Sequence, residues 1–436
     1  MKTTRTLTPS SVVELGEAFA GGVNTTIARR HGVVTRGQFQ FTAFFESMTR
    51  IVFARRDLRD GSLQKGSIDG CHFRADDDHN AINLGIDPAG YLHVAYDHHA
   101  QPLQYRTSAR PLDVTAWNEP VPMTGRNEMR VTYPQFLMRP ADCDDREGLG
   151  ELWFIYRDGC SGEGDVCLKC YDHETGRWAD LAERFVKGTE QTPWTSNAYW
   201  DHPTFDRDGR LMLSWVWRLN AGGPPGWDGF YNQTYGFAAS PDGKRWFSSH
   251  GVELSLPMTP VNNEVIHALT PGVTIFNMAG AAADSQGRMH IVNCAADVPR
   301  GPVEYRHLWF DGNRWRWDCL SDRGKGFELY EPGTPTSLPD ILIDSHDRVY
   351  VIFRGDAVAG QMVAQRLDPP DYEPPGETLV LWPDDLGGSD PIVDRIRWAR
   401  DGVLSMYVQP CAPYGSPPAS HAATPARLVD WDLAGV

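Results

Sequence analysis

Cysteine is scarce: eight stand among 436 residues, too few for a fold held together by disulfides. Long helical periodicities are few, and no apolar run reaches the length of a membrane-spanning helix. The segment from Met1 to Gly22 carries Lys2 and Arg5 but no continuous apolar stretch, so no signal peptide is read there. Positive charge is in deficit, with 41 Lys and Arg against 57 Asp and Glu and a net charge of −16. That balance argues against a polyanion-steering surface, and no basic stripe is present. Neither nucleic acid nor a membrane is expected as a partner. Gly-x-Ser-x-Gly elbows, phosphate loops and dinucleotide fingerprints are absent as well.

What is abundant is 15 Trp, 42 Gly and 32 Pro, the composition of many short strands joined by tight turns. One unit recurs: an apolar strand, an Asp-x-x-Gly-type turn and a second strand ending in aromatics. It is seen at Leu84–Tyr96 around Asp87-Pro88-Ala89-Gly90, at Pro203–Trp217 around Asp206 to Gly209, at Ala279–Val292 around Asp284 to Gly287, and at Leu338–Phe353 around Asp344 to Asp347. Weaker copies lie at Tyr133–Arg157 and at Val393–Tyr407, the latter around Ala399-Arg400-Asp401-Gly402. A polar turn leading into Trp marks the outer half of a unit at Asp172–Trp178, Ser240–Trp246 and Asp311–Trp315. These turns resemble shortened Asp-boxes. Units at 39–59, 79–117, 131–178, 202–246, 278–315, 337–368 and 391–411 predict an all-β, seven-bladed β-propeller, with four-stranded antiparallel blades around a central channel. One domain over 1–436 is expected, closed by pairing of Val12–Glu14 with Arg427–Asp430.

The equivalence of blades places polar side chains at one mouth of that channel. His79 and His202 precede innermost strands, His99 and Arg218 follow second strands, and Tyr133 precedes Pro134 as His202 precedes Pro203. His79, His99, His202 and Arg218 are the candidate catalytic residues; Asn80, Tyr133, Tyr199, Trp217 and His267 are candidate substrate contacts. His93 and His290, inside strands, read as core groups, and His98 as pointing away from His99. A guanidinium suits a carboxylate, and imidazoles exchange protons near neutrality. Together they fit β-elimination from a uronic acid, in which neutralising the C6 carboxylate acidifies the C5 proton.

Metal-ligand patterns are thin. Cys167 and Cys170 lie three apart in a strand and face opposite ways. Asp142, Asp144 and Asp145 lack the spacing of a Ca²⁺ loop. His290, Cys294 and His307 are the residues whose types suit a structural metal.

The motifs Asp78-His79-Asn80, Leu84-Gly85-Ile86-Asp87-x-x-Gly90-Tyr91-Leu92-His93, His99-x-x-Pro102-Leu103-x-Tyr105, His202-Pro203 and Ser214-Trp215-Val-Trp217-Arg218 resemble the seven-bladed propeller polysaccharide lyases, a group that includes ulvan lyases and rhamnose-α-1,4-glucuronate lyases. The resemblance covers roughly residues 70–320. It implies that His79 and His99 flank the scissile bond, that Arg218 neutralises the uronate, and that a structural Ca²⁺ or Zn²⁺ is possible although the chemistry needs no cofactor. Its implied partner is an acidic oligosaccharide or polysaccharide. Ulvan lyases of this type carry Tyr where this chain has His202, which points to a substrate other than ulvan and makes Tyr133 and Tyr199 candidates for the displaced phenol. The competing readings are a glycoside hydrolase of the α-L-rhamnosidase type on the same scaffold, with His31 on another face, and a non-catalytic carbohydrate-binding propeller.

Overall fold

A computed structural model describes residues 3–433 except 71, 142–147, 149, 191–194, 221–229, 271, 272, 274, 299, 300, 325–336, 356–359, 375 and 413–421. Asp142, Asp144 and Asp145 fall outside the described residues. Seven sheets follow one another along the chain, and each is one blade of the expected propeller. Blade one runs Val33–Arg36, Phe39–Ser47, Arg50–Asp57 and Leu63–Asp69; blade five runs Gly280–Ala283, Met289–Ala295, Glu304–Phe310 and Trp315–Cys319. Strand pairing within both is antiparallel throughout.

The repeated turn has one physical basis. Asp206, Asp284 and Asp344 each accept the amides two and four residues on, and each holds the Nε of the Arg at the second of these positions at 2.6 Å. The residue between is left-handed: Gly209 at φ 72°, Gly287 at φ 70° and Asp347 at φ 60°. Asp172, Asp242 and Asp311 likewise accept paired amides in the outer turns.

Closure follows the expected pairing of the two termini, Ser11–Ala18 lying antiparallel to Thr424–Asp432 with Val12 opposite Val429 and Glu14 opposite Arg427. Two departures bear on the site. Blade two has three strands, Asn83–Ile86, Leu92–Ala95 and Tyr105–Thr107; the segment between its last two, His99–Gln101, crosses to pair with Val131–Arg139 of blade three. In blade seven the expected tight turn is a short helix, Arg395–Asp401. Asp394 caps it by accepting the Arg397 amide, and Gly402 ends it at φ 67°.

The inner strands converge so closely that a Cβ on Gly280 would lie 2.6 Å from the Asp340 Cα of the next blade. Apolar side chains fill the space between blades, as where Phe136 and Phe154 of blade three meet Ile86 and Val94 of blade two. The Cys167 and Cys170 thiols are free and on opposite faces; burial pushes them up to about 12 and about 11.

Candidate active site

The turn Asp78–Asn80 stands just before blade two's inner strand. Asp77 caps it: Oδ1 accepts the His79 amide at 3.0 Å and its Nδ1 at 2.5 Å, while Oδ2 accepts His99 Nδ1 at 2.7 Å. The two imidazoles stack with centroids 3.9 Å apart and planes 15° apart. A carboxylate that accepts both Nδ1 protons leaves each Nε2 with its lone pair. Burial opposes ionisation of Asp77, but the bonds from His79 and His99 hold it well below the usual carboxylate range. His99 reaches this place because its strand pairs with blade three, where Ala100 donates to Thr132 Oγ1 at 2.8 Å.

Tyr133 sits in a bulge of blade three's inner strand, between Thr132 and Gln135, at φ 52°. A bulge re-aims a side chain, and here it puts the phenol ring 5.8 Å from both His79 and Tyr199. Arg218, on blade four's second strand, donates to Tyr199 Oη (3.2 Å), Ser161 Oγ (3.3 Å), Asn232 Oδ1 (3.2 Å) and Asn277 Oδ1 (3.0 Å). All four partners are neutral. Arg157, at the corresponding place on blade three, is fully buried, with its guanidinium 4.9 Å from the Tyr133 ring and 5.1 Å from the Tyr199 ring. None of its side-chain nitrogens makes a hydrogen bond of ordinary geometry. Two cations thus stand beside two phenols with no carboxylate partner among the described residues. Burial would raise Tyr199, but Arg157 and Arg218 bring it below its ordinary value; burial and the neighbouring Tyr199 push Tyr133 far up.

His79, Tyr133, Tyr199 and Arg218 line one cavity of about 230 Å³ with Phe276, Met278, Asp78 and Asp390. Burial, with Asp77 and Asp390 close by, pushes Asp78 up to about 7; burial pushes Asp390 up to about 6. The other expected residues lie elsewhere. His202 is buried below the mouth, its ring edge-on to His31 at 5.4 Å, and is held neutral by burial and by Arg395 and Arg30. Its amide is committed to the Ala279 carbonyl, and the strand Thr195–Trp200 delivers Tyr199 to the cavity in its place. Trp217 is core, its indole N–H on Asn263 Oδ1. His267 belongs to the outer strand Glu264–Ala268 and stacks on Trp317 at 4.2 Å. Asn80 braces the turn by donating to the Arg74 carbonyl. His98 accepts the Gln104 amide, and His93 bonds the Tyr105 hydroxyl, as core groups do.

The expected metal set does not assemble. His290 Nδ1 meets His307 Nε2 at 3.0 Å, but Cys294 gives its thiol to the Ser337 carbonyl. Among the described residues only Asp77, His79 and His99 bring three candidate ligands together. There the carboxylate is already bonded to both Nδ1 atoms, which does not fit a closed structural zinc site of four ligands.

The sequence pattern of a BNR repeat-containing family member matches residues 39–323. The chain belongs to this BNR repeat-containing family. An ulvan lyase of Alteromonas sp. (strain LOR) is 24% identical over 266 residues, 55% of this chain and 52% of that one, so the chain spans about half the length of the curated relative it matches. Two solved structures share the fold at 15% identity. Polysaccharide lyase Uly1 superposes with a TM-score of 0.69 over 97% of this chain and 100% of that one. A PL25 ulvan lyase bound to -[GlcA(1-4)Rha3S]- does so with a TM-score of 0.64 over 91% and 95%.

Proposed function

We propose that this chain is a polysaccharide or oligosaccharide lyase that cleaves a 4-linked glucuronate or iduronate, next to rhamnose, by β-elimination. The observation that carries the reading is the pair Arg157 and Arg218, cations with no carboxylate partner among the described residues. A buried cation is stabilised by a counter-ion, and the C6 carboxylate of a uronate supplies one. Held there, the carboxylate draws charge as the C5–H bond breaks, and guanidinium groups in a water-poor site stabilise that charge more than water would.

His79 is the base: Asp77 holds its Nδ1–H, so the Nε2 lone pair takes the C5 proton. The C5 electron pair forms the C4=C5 double bond as the bond from C4 to the leaving oxygen breaks. Tyr133, which burial keeps protonated, delivers a proton to that oxygen. His99 shares Asp77 and fixes the stack. Tyr199, bonded to Arg218 and acidified by both cations, offers a further hydrogen bond to the carboxylate. No step requires a metal. The lyase names of the relatives support the same chemistry.

The test is a proton NMR time course with glucuronate-(1→4)-rhamnose oligosaccharides. A vinylic H4 signal at a new non-reducing end is expected. Free rhamnose beside a saturated uronate would mean hydrolysis, and an unchanged substrate would mean binding alone.

A further inference from the structure

The cavity carries both signs of charge. Blades three and four contribute Arg218, with Arg157 behind it, and blade six contributes Arg354; the turns before blades two and seven contribute Asp78 and Asp390 to the same lining, where Arg354 acts on Asp390 and Asp78 stands apart from it. These carboxylates are fixed in place. Asp390 accepts the Ile27 amide on Oδ2 at 2.8 Å and the Leu338 amide on Oδ1 at 3.2 Å. Asp78 rests against Gly22, where a Cβ would fall 2.4 Å from Oδ2, so only glycine leaves room for the carboxylate. Neither acid makes an ion pair among the described residues, and Asp390 helps to push Asp78 upward, a sign that negative charge is already crowded there.

We infer that this acidic wall is the subsite for the sugar flanking the uronate, and that it selects a sugar with free hydroxyls over one bearing a sulfate ester. The inference rests on the lyase reading above. A uronate anchored on Arg218 in a cavity of about 230 Å³ leaves its neighbour against Asp78 and Asp390. Hydroxyls donate to carboxylate oxygens. At pH 8, above the values of about 7 and about 6 to which Asp78 and Asp390 are pushed and the pH at which the two substrates are to be compared, sulfate oxygens only accept, so a sulfate facing the ionised carboxylates has no proton to share and meets like charge. Selectivity then comes from a repulsive element as much as from an attractive one.

The test compares one set of glucuronate–rhamnose oligosaccharides, 3-sulfated on rhamnose, with the same set after solvolytic desulfation, using the parent protein, Asp78→Asn and Asp390→Asn. The parent is expected to have a kcat/KM about tenfold or more higher on the desulfated set, the effect of one like charge several ångströms away at intermediate dielectric. In at least one Asn variant the ratio should fall toward one because the sulfated set improves. Equal rates in the parent, a preference for sulfate, or a ratio unchanged in both variants would overturn the inference. Titration calorimetry on His79→Ala with both sets separates this from the lyase reading. If the parent cleaves neither set, the lyase reading fails, while tighter binding of the desulfated set upholds the polarity of the pocket and equal binding overturns it.

Discussion

Asp77→Asn isolates the proton logic of the site. In the parent one carboxylate accepts Nδ1–H from His79 and from His99, at 2.5 and 2.7 Å. An asparagine offers one oxygen and one NH2 at the same places. The NH2 must face an Nδ1 lone pair, so one imidazole moves its proton to Nε2 and is lost as a base. The His79 amide also donates to Oδ1, at 3.0 Å, which keeps the oxygen on that side and turns the NH2 toward His99; His79 keeps its Nε2 lone pair but loses the carboxylate charge behind its Nδ1–H, so kcat should fall by about 10- to 100-fold, a part of the ~10² to 10⁴ that a general base contributes. The effect on folding is smaller. A hydrogen bond to a charged group contributes about 1.5–3 kcal/mol, and the Asp77 side chain is 37% exposed, so screening reduces the loss to about 1 kcal/mol. The assay is initial rate by ultraviolet absorbance alongside a urea melt. A variant that loses a kcal/mol but keeps its kcat within threefold would refute the role of the Asp77 charge behind His79; one that unfolds would show Asp77 to be mainly structural.

Arg157→Met removes a buried cation that has no carboxylate partner among the described residues, so the melting temperature should hold or rise while kcat/KM falls by about 10² to 10³; a destabilised but active variant would contradict this. Asp201 accepts the Ala279 amide and the Ser214 hydroxyl, and burial pushes it up to about 7. Between pH 4 and 7 the native state keeps a proton that the unfolded chain releases, so this group's contribution to stability falls as pH rises. Relative to the parent, Asp201→Asn should therefore gain about 1–3 kcal/mol from pH 4.5 to pH 8 in chemical denaturation, and the opposite slope would sink the argument.

The ring, the pairing of its termini and the pairing of His79 with His99 were legible because they rest on local patterns. A turn carboxylate that binds amides two and four residues on leaves a fixed spelling, and a hairpin fixes where its open end lies. His202 was misplaced because the equivalence ran through the residue before Pro, whereas a bulge at Tyr133 and a straight strand at Tyr199 deliver side chains to the cavity from different offsets. No alternation rule predicts a bulge. Asp77 has no signal in the sequence, since bridging two rings depends on a strand exchange between blades. Arg157 did have a signal. Arg157, Arg218 and Arg354, each after an aromatic residue, all fall within the last four residues of second strands, and Arg218 and Arg354 reach the cavity lining. The helix at Arg395–Asp401 also had one in the Asp394 cap and Gly402.

The most direct test of the central claim is absorbance at about 235 nm, where a conjugated uronate is expected from elimination, with 4-linked glucuronate oligosaccharides and the parent, Arg218→Ala and Tyr133→Phe proteins. The account predicts a steady rise with the parent that drops at least about a hundredfold in both folded variants. A parent that releases saturated sugars without any rise, or variants that keep pace with it, would contradict elimination at this pocket.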